Sequence, residues 1–203
     1  MKIICIGRNY SEHAKELNNA VPTSPVFFLK PDTALLKDNA PFYYPSFSNE
    51  IHYEVELVLK ISKNGKSILP QFAHKYIDQI TVGIDFTARD IQQHCKEKGL
   101  PWEKAKAFDQ SAVIGKFISL SELNHPQQIQ FDLSINEHQV QQGISSDMIF
   151  SFEQIIAHVS QFITLKTGDL IFTGTPAGVG PIKIGDRLKA SIEKKLLLDF
   201  EIK

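Results

Sequence analysis

"IHYEVELVLKIS", Ile51 to Ser62, is the stretch whose reading decides the fold. Its odd positions, Ile51, Tyr53, Val55, Leu57, Leu59 and Ile61, are all apolar, and its even positions open with His52, Glu54 and Glu56. Alternation with period two marks a strand with one face buried, so a strand is expected over Ile51–Ile61. Residues two apart on a strand leave the same face, with α-carbons roughly 6.5–7 Å apart. Glu54 and Glu56 are therefore neighbours. They are either part of an ordinary wet face or half of a metal site, because two partly buried carboxylates repel unless a cation joins them. Oxygen-only donors favour a hard ion, Mg2+ first, with Mn2+ or Ca2+ also suited.

Outward from this strand, "TVGID" (81–85) reads as a second short strand and "TARDIQQHCKEKG" (87–99) as a helix. Thr87 is its expected cap, Asp90 sits in its first turn, and Gly99 with Pro101 ends it. A short helix is expected over Asn9–Leu17, with Asn9 as N-cap and Glu12 three residues on. Gln71–Ile80 reads as helical, and Phe152, Ile155, Ile156, Val159, Phe162 and Ile163 fall at helical spacing over 152–164. "IQFDLSINEHQVQQG" reads as a hairpin turning at Asn136–His138, and the region from Pro22 to Pro45 as loops and short strands. From 166 to 192 the pattern is turn, strand, Gly-rich loop, turn, strand. No linker composition divides the chain, so one catalytic domain over 1–203 is expected, mixed α/β and β-rich.

Bulk properties narrow the function. The 203 residues suffice for one sizeable domain, and 22 basic against 23 acidic side chains leave a net charge of -1. No global field draws nucleic acid or an anionic membrane. Cys5 and Cys95 make neither zinc spacing nor a disulfide framework and read as free thiols in a reducing cytoplasm. The apolar run Ile3–Ile6 is too short for a signal sequence or a membrane span.

Four further features carry chemistry. Asp85 ends its strand just before a helix, a frequent position both for site residues and for plain helix entry. Arg89 and Gln92 are i,i+3, so they share either an anionic ligand or a solvated face. His13 and Glu16 are also i,i+3. A carboxylate on one imidazole nitrogen orients the ring and raises its basicity, leaving the other nitrogen to take a proton; the alternative is a surface pair. "GTPAGVG" (174–180) lacks the ending of a phosphate-binding P-loop and a surrounding βαβ unit. Its glycines suit either a tight turn or close approach to a small ligand, with Thr175 supplying a hydroxyl.

In order along the chain, "GRNYSEHAKEL", "PVFFLKP", "IHYEVELVL", "GIDFTARDIQ", "KGLPWEKAKAFD" and "DLIFTGTPAGVGPIKIGD" resemble the fumarylacetoacetate hydrolase family, in particular its compact acylpyruvate hydrolase and oxaloacetate decarboxylase branch. The resemblance spans about residues 3 to 195. It implies a β-roll around a central metal, held by Glu54, Glu56 and Asp85. It implies His13 and Glu16 as a water-activating dyad on a lid segment and Lys106 as an active-site lysine. Arg89, Gln92 and Thr175 match substrate-contacting positions, and Arg8 and Lys30 lie in matching motifs. A homodimer is implied, as is the absence of the extra N-terminal domain of longer members. Glu137 stands where relatives often carry glycine, and Ala107 where a serine is common.

The reaction implied is Mg2+-dependent hydrolysis of a C–C bond in acylpyruvate-type 2,4-dioxo acids, with oxaloacetate decarboxylation as a second activity. Both pass through an enolate whose developing charge an ion would stabilise. The same chemistry serves a 2-hydroxyhepta-2,4-diene-1,7-dioate isomerase or an oxaloacetate tautomerase. A non-catalytic, metal-dependent 2-oxo acid binding protein would have lost the dyad or the lysine, and both are present.

Overall fold

The strand expected at Ile51–Ile61 forms, but in two pieces. Ile51–Tyr53 pairs with Thr87–Ala88 and Gly180–Pro181 in a small sheet. Val55–Ile61 lies in an eight-stranded sheet between Leu170–Phe172 and Ile77–Asp85, antiparallel to both. Glu54 occupies the junction, where its carbonyl accepts the Asp85 N–H at 2.9 Å. This computed structural model describes residues 1–16, 20–123 and 125–203.

From its edge, the large sheet runs Val26–Lys30, Ile3–Gly7, Leu170–Phe172, Val55–Ile61, Ile77–Asp85, Ala112–Ile114 and Leu35–Leu36, with Ile118–Ser119 also paired to Ile77–Asp85. A second sheet orders His138–Ile144, Gln130–Ile135, Arg187–Ile192 and Lys195–Glu201. Leu57, Leu59 and Ile61 belong to the main core, whereas Val58 packs with Ile3, Cys5, Leu170 and Phe172 on the opposite face. The central strand is thus buried on both faces. Each large apolar side chain so buried contributes roughly 1.5–3 kcal/mol. The even face carrying Glu54 and Glu56 is not wet: they are 6% and 2% exposed.

Three local expectations are corrected. The helix read over Gln71–Ile80 is one short turn, Pro70–Ala73, followed by a 3-10 turn to Tyr76. Ile77 and Ile80 instead start the strand Ile77–Asp85, opposite Ile61 and Leu59. Pairing of β-branched residues against a buried strand overrides their i,i+3 spacing. Asn9 does not cap the helix Ser11–Glu16. It is fully buried, donates to the carbonyls of Phe150 (3.1 Å) and Thr173 (2.8 Å), and accepts the Phe150 N–H. Leu17, where that helix was expected to end, lies outside the described residues. Thr87 does not cap the helix Arg89–Lys98 either; its hydroxyl is drawn to Glu54 instead.

Elsewhere the local signals hold. Gly99 takes φ 63 at the end of Arg89–Lys98, a left-handed cap that a side chain would strain. Asn136 and Glu137 turn the expected hairpin with φ 50 and 67, the pair of positive angles that a two-residue turn needs. Glu137 tolerates the strain while pairing with Lys189 at 2.6 Å. The amphipathic helix runs Phe152–Phe162, capped by Ser151 and Gln154. Both cysteines are free and buried. Among the described residues, no helix is long and apolar enough to cross a membrane.

Candidate active site

The strand break brings three carboxylates together. Glu54 and Glu56 start the central strand, and Asp85 ends the neighbouring one, where Val55 pairs with Ile84. One oxygen from each of Glu54, Glu56 and Asp85 lies within 4.8 Å of the others. All three are buried.

Their partners differ. Glu54 Oε1 accepts from Arg89 Nη2 at 2.6 Å and from the Thr87 hydroxyl at 3.1 Å, and its Oε2 accepts from Lys106 Nζ at 2.8 Å. Burial alone would raise this acid, but Lys106, Arg89 and His13 outweigh it and hold its carboxyl well below the usual carboxylate range. Asp85 takes a second bond from Lys106 Nζ at 3.0 Å and pairs with Lys30 Nζ at 2.6 Å. Burial would discharge Lys106, yet Asp85 and Glu54 more than offset it and hold it charged.

Glu56 is the exception. Its Oε2 accepts the Gly174 N–H at 2.6 Å, and among the described residues no cationic side chain pairs with it. Burial, then Asp85, then Glu54, push its carboxyl up, more than Gly174 and Lys106 pull it down. A buried acid left beside two others without its own counter-charge is what a cation would complete. The donor set is all oxygen, so the three residues fit a hard divalent ion.

The same cavity is lined by one member of the second pair, His13. His13, 5% exposed, faces Glu16 with Nδ1 3.2 Å from Oε2. The Gly178 N–H reaches both Glu16 oxygens at 3.2 Å. The Gly-rich loop therefore fastens two acids, Glu56 through Gly174 and Glu16 through Gly178. At Gly174, with φ 100, an added Cβ would sit 2.6 Å from Asn9 Cβ. Close backbone approach explains the glycine.

Of the eleven residues singled out from sequence, nine line one cavity: Arg8, His13, Glu54, Glu56, Asp85, Arg89, Gln92, Lys106 and Thr175. Glu16 and Lys30 stand behind it, against His13 and Asp85. Lys30 is 2% exposed and spends its remaining donors on Ser111 (O at 2.7 Å, Oγ at 3.0 Å) and the Phe86 carbonyl. Arg89 Nη1 donates to Gln92 Oε1 at 2.6 Å, while its buried Nε finds no partner among the described residues. Thr175 Oγ1 accepts from Gln141 Nε2 at 3.0 Å.

Sequence reading missed Phe28, Lys96 and Trp102, which also line the cavity. Two of them had a signal. Phe28 is two residues before Lys30 on one strand, and Lys96 is seven after Arg89 on one helix, so each shares its partner's face.

The model of the fumarylacetoacetate (FAA) hydrolase C-terminal family matches residues 2–201. The mitochondrial oxaloacetate tautomerase of Mus musculus is 42% identical over 201 residues, covering 99% of this chain and 91% of that one. The oxaloacetate tautomerase YcgM of Escherichia coli is 43% identical over 193 residues, covering 95% and 88%. Among solved structures, the fumarylpyruvate hydrolase of Pseudomonas aeruginosa in complex with Mn2+ and pyruvate superposes with a TM-score of 0.93 at 36% identity, covering 100% of this chain and 89% of that one.

Proposed function

The chain belongs to the fumarylacetoacetate hydrolase family, a family of enzymes, and from that premise we propose that it is a single-domain, Mg2+-dependent enzyme cleaving a C–C bond in acylpyruvate-type 2,4-dioxo acids. The observation that carries this is one cavity lined by both the buried carboxylate cluster and His13, with Glu16 behind His13. Glu54, Glu56 and Asp85 would hold Mg2+, or Mn2+ or Ca2+ in its place. Bound there, the ion supplies Lewis-acid stabilisation of the negative charge that develops as the bond breaks. The Mn2+ and pyruvate in the fumarylpyruvate hydrolase relative support an ion and a 2-oxo acid as ligands.

The chain's own groups divide the remaining work. Glu16 accepts the Nδ1 proton of His13, which leaves Nε2 as the base that takes a proton from water. The resulting hydroxide attacks the distal carbonyl, the C3–C4 bond breaks, and the proton held on Nε2 is available to C3. Lys106, held charged, acts as a donor rather than a base. Two of its three N–H bonds go to Glu54 and Asp85, and the third, which makes no hydrogen bond among the described residues, is offered to a substrate oxygen. Gln92, oriented by Arg89, offers its amide N–H to the substrate carboxylate. Arg8 and Thr175 complete the lining, and Lys30 holds Asp85 in place.

The names of the tautomerase relatives favour a second reading, enol–keto interconversion of oxaloacetate, for which no water attack is needed. Decarboxylation of oxaloacetate shares its enolate. We further propose a homodimer, which would cover the exposed Leu29 and Phe162 beside Phe27, and a reducing, cytoplasmic setting, which the two free thiols fit.

The test is spectrophotometric. Loss of acetylpyruvate and of oxaloacetate is followed with metal-stripped protein before and after Mg2+ is added, for wild type and His13→Gln. The hydrolase reading expects Mg2+-dependent loss of acetylpyruvate that His13→Gln slows by about 10²–10⁴-fold. Loss of acetylpyruvate undiminished in His13→Gln would remove the dyad; turnover of oxaloacetate alone would overturn the hydrolase reading, and release of CO2 would then separate decarboxylation from enol–keto interconversion.

A further inference from the structure

Gln141 serves two elements at once. It lies on the strand His138–Ile144, where the register with Gln130–Ile135 shifts: Leu133 faces Gln141, but Ser134 faces Gln139. Val140 is thus the extra residue of a bulge, a device that re-aims a side chain. Gln139 and Gln142 bond each other at the surface at 2.8 Å, whereas Gln141 is 2% exposed. A buried amide is costly unless its donors and its acceptor are used, and those of Gln141 all are.

Its Oε1 accepts the Val55 N–H at 2.9 Å, and its Nε2 donates to Thr175 Oγ1 and to the Pro176 carbonyl, both at 3.0 Å. These partners fix which end of the amide is which, since an N–H needs the oxygen and a carbonyl needs the nitrogen. Val55 stands between Glu54 and Glu56, where the central strand restarts. Leu170–Phe172 reaches only Val58 in register, and Gln141 supplies the acceptor that Val55 lacks. The Gly-rich loop packs closely on the same strand: a Cβ on Gly178 would lie 2.9 Å from the Val140 carbonyl oxygen and 3.4 Å from Gln141 Cγ.

The consequence falls on Thr175. A hydroxyl has one proton and two lone pairs. One lone pair takes the Gln141 N–H, so the proton points away from Gln141. Among the described residues Thr175 Oγ1 donates no hydrogen bond, and Thr175 lines the cavity. We propose that Gln141 is a positioning residue for the reaction: it locks the Thr175 hydroxyl as a donor directed into the cavity, set for an oxygen of the 2-oxo acid. This rests on the reading of the cavity as a 2-oxo acid site. The rival role is a passive strut, tying the hairpin strand to the central strand through Val55.

The test measures pyruvate binding to the Mg2+-loaded full chain by the fluorescence of Trp102, the single tryptophan of the chain and a wall of the cavity. Gln141→Met and Thr175→Val are each expected to raise the dissociation constant about tenfold, the scale of one hydrogen bond to a charged group. The double variant again loses about tenfold and not roughly a hundredfold, because Gln141 has no hydroxyl left to direct. Thr175→Ser keeps the hydroxyl, so it binds like wild type and restores the sensitivity to Gln141→Met. A passive strut gives losses that multiply in every background, and that result overturns the proposal. So does Thr175→Val with unchanged affinity. Where Gln141→Met does not fold, NMR of wild type without pyruvate carries the test. Both side-chain amide protons of Gln141 should be protected from solvent, and exchange at the rate of a free glutamine overturns the lock. Failure of the 2-oxo acid reading is distinct: wild type then binds no pyruvate, and the proposal falls with it. Failure of the hydrolase reading alone leaves acetylpyruvate uncleaved while the coupling of Gln141 to Thr175 stands.

Discussion

Glu56→Gln separates the charge of Glu56 from its shape. In the metal-free protein this acid is 2% exposed, with carboxylate oxygens of Glu54 and Asp85 within 4.8 Å. At an effective dielectric near 20, each such pair repels by about 3.5 kcal/mol. Lys106 bonds both neighbours but not Glu56, so the repulsion is only partly offset. Burial first, and this repulsion with it, keep the proton on the acid and push its carboxyl well above the usual carboxylate range.

The sign of the pH dependence follows. A group whose folded-state pKa is raised gives its full stabilisation below the unfolded value and loses it as pH rises through the folded one. Metal-free wild type therefore loses about 1.4 kcal/mol of stability per pH unit from above pH 4.5 until Glu56 ionises in the folded state. Glu54 is shifted the other way, so its contribution is lost only as pH falls below that point, and the two windows separate. Gln mimics the protonated acid and still accepts the Gly174 N–H, so Glu56→Gln abolishes the slope above pH 4.5. An ion reverses the balance for wild type, because binding expels the proton. At 100 times its dissociation constant Mg2+ adds about 2.7 kcal/mol, roughly 5–11 °C in Tm for a chain of this size, and this shift grows with pH. In Glu56→Gln the shift falls below about 2 °C. The assay is differential scanning calorimetry of chelator-treated wild type and variant from pH 5 to 8, with and without Mg2+. Other titrating groups are common to both proteins and cancel in the difference. A variant that keeps the wild-type pH slope, or the wild-type Mg2+ shift, refutes the reasoning.

Lys106→Met removes the cation shared by Glu54 and Asp85; urea unfolding should show a loss of about 3–5 kcal/mol without metal and a smaller loss in saturating Mg2+, whereas equal losses would deny Lys106 its neutralising role. Gly174→Ala forces a Cβ to within 2.6 Å of Asn9 at φ 100. Strain of about 1–2 kcal/mol and overpacking of about 1–3 kcal/mol should lower Tm by roughly 5–15 °C and weaken Mg2+ binding by displacing the backbone N–H that bonds Glu56, and an unchanged Tm with normal Mg2+ affinity would contradict both.

The alternation at Ile51–Ile61 revealed the central strand and the shared face of Glu54 and Glu56, because side-chain parity is a local property. It did not reveal that this face is buried, since Val58 is covered by Ile3, Leu170 and Phe172 from remote strands. Nor did it reveal the break at Glu54, which depends on pairing changing from Thr87–Ala88 to Ile77–Asp85. The misread helix at Gln71–Ile80 shows the same limit, because strand pairing decided what spacing left ambiguous. Thr87 obeyed a capping rule on paper and lost to a buried carboxylate in need of a donor. Lys30 and Lys106 carry no local signature. Their neighbours are more than 20 residues away in sequence, and only the motifs of the family resemblance pointed to them. Lys96 was legible at i+7 from Arg89, but a lysine on a helix is ordinarily solvated, and only the cavity shows where it points.

The order of the motifs follows from the topology. Val55–Ile61 is antiparallel to both neighbours, so its start lies beside the ends of Ile77–Asp85 and Leu170–Phe172. A carboxylate pair meant to meet Asp85 and the Gly174 loop must therefore sit where its strand begins, and theirs must follow where strands finish. Ile3–Gly7 runs parallel to Leu170–Phe172 and delivers Arg8 and His13 to the same rim. Val26–Lys30 returns antiparallel from it, with Val26 opposite Gly7, and adds Phe28. The rigid strand ends fix the carboxylates, while the dyad sits on a six-residue helix held partly through Glu16 and Gly178. In the proposed mechanism, a substitution that loosened that helix removes water activation and spares the carboxylate cluster, so that mechanism expects hydrolysis to be lost before enol–keto interconversion, which needs no attacking water.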